Sequence, residues 1–210
     1  MKLTKFSHAC VRLERDGGVL VIDPGSFSER AALDGVDAIL ITHEHQDHLD
    51  VDAVADAIGT RPAARIYTNS AVAKQLADLG DVVTTVESGE SFSAAGFGVR
   101  AYGAWHAVIH PDLPPVPNLG FLVDESIYHP GDSFDVPEGV SVDTLFVPVT
   151  APWLKASESI DFVRAVKPRH AYALHDALGT DLAFGLLHRL LNGLSGAEYS
   201  RLTPGATIDY

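Results

Sequence analysis

Cysteine is almost absent from this chain of 210 residues. Cys10 stands alone, so an internal disulfide is excluded, and a reducing compartment, by default the cytoplasm, is the expectation. It lies in an alternating strand-like run and reads as a buried structural thiol. Long apolar runs are also missing, so no transmembrane helix is expected. Met1 to Arg15 alternates charged and apolar residues and lacks the apolar stretch of a signal peptide. Positive charge is scarce: 15 Lys and Arg stand against 28 Asp and Glu, a formal net charge of −13. A non-specific nucleic-acid surface needs a basic stripe to displace counterions, so that balance argues against nucleic acid as the partner. What is present is ordinary for a globular protein, with 46% hydrophobic and 20% charged residues. One domain spanning residues 1–210 is the simplest reading.

The most informative stretch is His43-Glu44-His45-Gln46-Asp47-His48, directly after the apolar run Ala38 to Ile41. Three imidazoles and a carboxylate in six residues are ligand types that suit zinc and similar divalent metals. A shuffled chain of this composition would produce the pattern on the order of a few times in a thousand. His43 and His45 are two apart, so an extended backbone points both to one side. Asp47 and His48 are adjacent and cannot share a strand face. They need a turn, which lets them address a second metal, and the pattern therefore asks for a strand end that turns into a helix.

Around it the chain alternates strands and turns. Strands are read at 2–6, 9–13 and 19–22, with a hairpin signal at Asp16-Gly17-Gly18. Further strands are read at 38–42, 65–67, 82–86, 91–94, 98–102, 119–123, 126–129, 144–147 and 171–174. Helical patterns cover 51–58, 70–79, 157–166 and 181–191, with Ser157 as the candidate cap of the third. Strands mixed with helices in both halves suggest a two-layer sheet core flanked by helices.

A two-metal site needs more ligands, and three isolated residues at strand exits fit: His106, Asp132 and His175. Loops supported by a rigid sheet are where sites usually lie. The HxHxDH run, Asp23 after an early strand, then His106, Gly131-Asp132-Ser133 and His175 in order, resemble the metallo-β-lactamase superfamily across nearly the whole chain. Phe6 to Cys10 with Ile22-Asp23-Pro24 is similar to its ascorbate-phosphate-lactonase-like branch of small metal-dependent hydrolases.

That resemblance implies an α/β fold, a four-layer αββα sandwich, with two divalent ions at one edge of the sheets. Zn2+ is the expected metal, with Mn2+, Fe2+ or Ni2+ as alternatives. His43, His45 and His106 would bind one ion and Asp47, His48 and His175 the other, with Asp132 between them. Asp23 would orient the ligand loop from behind. A metal-bound hydroxide would cleave an ester, lactone or phosphodiester of a small molecule, with Asp47 or Asp132 handling protons. Superfamily members that use two irons for redox work typically carry a carboxylate at the place of His45, so its imidazole fits hydrolysis.

His8 and His110 are the further candidates for substrate contact or support, His110 opening a proline-rich run that could form a stiff lip over the site. Cys10 and Ser133 have no catalytic role in this reading. Trp105, Phe134 and Trp153 read as core side chains before pocket walls. His129 and His170 read as structural or exposed, His188 as lying on a helix surface, and Lys155 as solvated. Two rivals remain: a nuclease-like member of the superfamily, and a metal-binding sensor or scaffold without turnover.

Overall fold

The computed structural model describes residues 1–210. Its first sheet contains β1 (Lys2–Lys5), β2 (Val11–Arg15), β3 (Gly18–Ile22), β4 (Ala38–Ile41), β5 (Arg65–Thr68) and β6 (Val83–Thr85). The second contains β7 (Ser91–Ala94), β8 (Phe97–Tyr102), β9 (Gly120–Val123), β10 (Ile127–His129), β11 (Thr144–Pro148), β12 (His170–Leu174) and β13 (Glu198–Ser200). The last strand, β14 (Ala206–Asp209), returns to the first sheet and pairs with β1. Each sheet has seven strands, in the orders β14-β1-β2-β3-β4-β5-β6 and β13-β12-β11-β10-β9-β8-β7. Helices α1 (Val51–Thr60), α2 (Ser70–Gln75), α3 (Ala156–Val166) and α4 (Asp181–Leu194) cover the outer faces.

Strand alternation explains the layering. Leu20 and Ile22 of β3 and Leu40 of β4 face inward, where they meet Phe121, Val123 and Phe146 of the opposite sheet. The intervening Val21, Ile39 and Ile41 face outward and pack with Val54 and Ile58 of α1. Leu145 and Val147 of β11 likewise face Phe162 and Val163 of α3. Three apolar interfaces between four layers make the αββα sandwich. No helix is long and apolar enough to cross a membrane.

Several local expectations need correction. The helix read over 70–79 stops at Gln75 and is followed by a 3-10 segment, Ala77–Val82, which is kinked at Gly80 with a positive φ of 64°. The cap of α3 is Lys155, not Ser157: the Glu158 carboxylate reaches back to accept the Lys155 N–H at 2.7 Å. The strands β13 and β14 fall where none was read. By contrast, Asp16 and Gly17 both have positive φ between β2 and β3, as a tight hairpin turn demands.

Candidate metal centre

The ligand-bearing loops leave their strands at one edge of the two sheets. The buried strand β4 ends at Ile41, the chain turns over His45 to His48, and α1 begins at Val51. The turn is closed by the His48 and Leu49 N–H groups, which donate to the His45 carbonyl at 2.9 and 3.0 Å. Asp50 caps α1 by accepting from Ala53 N–H at 2.9 Å. Gly25 lies so close beneath this loop that a Cβ there would sit 1.9 Å from the Asp47 carbonyl oxygen.

Two groups of possible ligands result, each with its donor atoms within 4.8 Å of one another: His43, His45, His106 and Asp132, and His8, Asp47, His48 and His175. His8, read as substrate contact or support, thus falls in the second group, bonded to Asp47. Asp132 adjoins both groups. Its Oδ1 is 2.8 Å from His175 Nε2 and 3.1 Å from His48 Nε2, and its Oδ2 is 3.2 Å from His106 Nε2.

Outer partners aim these rings inward. The Asp23 carboxylate accepts from His48 Nδ1 at 2.7 Å, from Thr42 N–H at 2.8 Å and from the Thr42 hydroxyl at 2.7 Å. The Thr42 oxygen in turn faces His43 Nδ1 at 3.0 Å. His106 Nδ1 meets the Ala107 carbonyl at 2.5 Å, and His175 Nδ1 meets that of Thr150 at 3.1 Å. All four rings therefore use Nδ1–H as an outward donor, which leaves an Nε2 lone pair pointing into the cluster.

Asp132 is held by a second frame. Asn118 accepts its N–H at 3.0 Å and donates to the Pro130 carbonyl at 2.9 Å. His129, fully buried, bonds the Ala9 carbonyl at 2.8 Å and accepts from Gly131 N–H at 3.2 Å, so its role is structural.

This donor set fits a cation. His48 Nε2 and His175 Nε2 face each other at 2.9 Å with both Nδ1 positions already donating. Two lone pairs at that distance repel unless a positive charge lies between them. His106 Nε2, Asp132 Oδ1 and His8 Nδ1 are buried with no properly directed hydrogen bond, the kind of orphan that calls for an ion.

The titration behaviour agrees. Burial, then the charge of His48, holds His43 well below its ordinary pKa. Burial and His106 lower His45. Burial opposes a charge on His48 too, yet Asp132 and Asp23 outweigh it and raise that imidazole well above its usual value. For Asp132, burial works upward and is overcome by His48 and His175, leaving the carboxyl well below normal. Asp47 has the same contest and settles at about 2, with the His8 hydrogen bond and the charges of His48 and His175 pulling it down. Without a metal, a proton on His48 is the cation that the cluster collects.

Other candidates lie elsewhere. His110 is exposed, pairs with Asp112 at 3.6 Å and lines the same cavity as His106. Trp105 is 56% exposed and walls a cavity, which corrects its reading as a core residue. Trp153 packs edge-on against His106 and Phe134. His170 faces Glu198 at 3.2 Å, and His188 lies on the α4 surface beside Asn192. Thr42, Asn118, Lys5 and Asp176 were missed. Buried Lys5 Nζ donates to the Phe6 carbonyl at 2.5 Å, to the His8 carbonyl at 2.7 Å and to Asp176 Oδ1 at 3.2 Å. It thereby ties the segment of His8 to the residue after His175. Both histidines have positive φ, 62° and 59°, a backbone state that these contacts hold in place.

An αββα sandwich with a histidine and carboxylate cluster at one sheet edge defines the class. A family model described as a beta-lactamase superfamily domain matches residues 2–175, and the chain belongs to that superfamily. Protein Rv0786c of Mycobacterium tuberculosis is 37% identical over 216 residues, covering 100% of both chains. A UPF0173 metal-dependent hydrolase of Xanthobacter autotrophicus is 32% identical over 126 residues, 54% of this chain and 51% of that one. Among solved structures, Igni18, a metallo hydrolase of Ignicoccus hospitalis, superposes with a TM-score of 0.76 at 21% identity, covering 100% of this chain and 98% of that one.

Proposed function

We propose that the protein is a binuclear metal-dependent hydrolase of small molecules, cleaving an ester, lactone or phosphodiester bond. The observation that carries this reading is the convergence of imidazole nitrogens and the Asp132 carboxylate on two adjacent points, with the Nδ1 atoms of His43, His48, His106 and His175 each facing an outer acceptor. His43, His45 and His106 would hold one divalent ion, zinc by the chemistry of the donors, and Asp47, His48 and His175 the other. Asp132 lies between the groups and serves both. Ions held there would polarise the scissile carbonyl or phosphoryl group and acidify water.

The chain's own groups do the rest. Asp23 fixes the tautomer of His48 directly and that of His43 through Thr42. His8 Nε2 lies 2.9 Å from Asp47 Oδ2 and holds that carboxylate in place. Asp47 is the more open of the two acids, 17% exposed against 2% for Asp132. With its carboxyl held at about 2 it is ionised at neutral pH, so its free oxygen orients an incoming water by accepting a hydrogen bond. Trp153 packs edge-on against the His106 ring and braces it. The lone buried thiol, Cys10, supports the reducing compartment.

The test is hydrolysis of generic esters, lactones and phosphodiesters by metal-loaded protein, with Asp47→Asn alongside. Turnover lost on chelation, restored by metal and reduced in the variant supports the reading. Activity that survives complete metal removal contradicts it.

A further inference from the structure

The segment from Trp105 to Val116 encloses a cavity of about 720 Å³. Its wall includes Trp105, Val108, Ile109, Leu113 and Val116, with no lysine or arginine. Val108 is 73% exposed and Leu113 53%. Apolar side chains gathered in water in this way mark a binding surface. The loop is stiff: Pro111, Pro114, Pro115 and Pro117 fix φ. Its base is pinned by His106 N–H on the Val116 carbonyl at 2.9 Å and Ala107 N–H on the Asp132 carbonyl at 2.7 Å. The trough is therefore formed before a ligand arrives, which lowers the ordering cost of binding.

Two observations say what fills it. The trough adjoins the cluster, since His106 both lines it and belongs to the first ligand group. The trough wall offers no cation to a phosphate, and buried Lys5 beside the cluster is consumed by Phe6, His8 and Asp176.

Building on the hydrolase reading, we propose that the substrate is an uncharged carboxylic ester or lactone whose apolar arm lies in this trough. Its scissile carbonyl then sits at the cluster. The water oxygen bonds the carbonyl carbon and the ester C–O bond breaks. A water proton goes to the departing oxygen, giving acid and alcohol, or a hydroxy acid from a lactone.

The experiment compares esters lengthened by methylenes on either side of the carbonyl with bis(p-nitrophenyl) phosphate, using metal-loaded protein. Binding of N-methylalkanamides, uncharged isosteres of the esters, is followed by tryptophan fluorescence. Expected is a rise in kcat/KM and in amide affinity approaching fourfold per methylene until the trough is full. Val108→Asp and Leu113→Asp should each flatten both series at unchanged metal content. A flat ester series, or preference for the phosphodiester, overturns the inference and leaves the hydrolase reading intact. If no ester or phosphodiester is cleaved, the hydrolase reading fails, and the amides alone decide whether the trough holds apolar chains. Concentration-dependent dimerisation that Val108→Asp abolishes, without amide binding, would assign the loop to a second copy of the chain and overturn the inference.

Discussion

Single residues carry the chemistry through their second nitrogen or oxygen. Asp23 makes no contact with the cluster's interior, yet it sets His48 by Nδ1 and His43 by way of Thr42. Asp23→Ala should weaken metal binding about 10–100-fold, measured by competition with a chromogenic chelator; unchanged affinity would remove its role. Protons compete for the same lone pairs. Because the raised pKa of His48 leaves it protonated in the metal-free protein, binding a cation must expel that proton. Metal affinity should therefore rise with pH through the neutral range, with proton release into weak buffer. Equal affinity across that window, with no proton released, would contradict the assignment. At this scale much was legible, since HxHxDH announced its chemistry by spacing alone. Thr42, Asn118 and Lys5 were not, because a hydrogen bond to a residue tens of positions away leaves no local pattern. Lys5 lies in the strand read over 2–6, and only the fold shows its side chain buried.

The elements matter through the loops they aim. β4 and α1 hold the ligand turn between them, and the Asp50 cap fixes where the helix starts. Asp50→Ala should cost about 1 kcal/mol in urea unfolding while leaving metal content unchanged. Gly25→Ala differs in kind, because its methyl group would collide with the backbone of Asp47. It should destabilise by about 1–3 kcal/mol and lower metal content together; a variant that matches wild type in both would show that the loop can yield. The strands that could be read from sequence included the continuous apolar runs of β3, β4 and β9. β13 and β14 escaped because they are short and largely polar, and they gain their place only by pairing with β12 and β1. His110 stands outside both ligand groups, but its exposed ring lines the loop cavity beside His106.

Across the whole molecule, the cluster is a junction between distant parts of the chain. β1 contributes Lys5, the segment after β12 contributes Asp176, and Arg201 closes on Asp176 from near the C-terminus, 3.1 Å from Oδ2. Removing one member of a buried ion pair typically costs about 3–5 kcal/mol. Lys5→Met should fall at the lower end, because Arg201 still answers Asp176. Denaturant unfolding of the metal-free protein measures this, and wild-type stability in the variant would dismiss the pair as a clamp. The four-layer architecture itself was accessible from sequence, through the resemblance and the mixture of strands and helices. The apolar trough was not, since nothing local says that Val108 and Leu113 stay exposed.

The central claim is that two ions share the carboxylate of Asp132. Metal content per chain of gently purified, metal-saturated protein, beside Asp132→Ala, tests it most directly. The account predicts about two ions per chain in the wild type and a marked loss in the variant. Equal metal content in both proteins, or a wild type that takes up no metal, would contradict it.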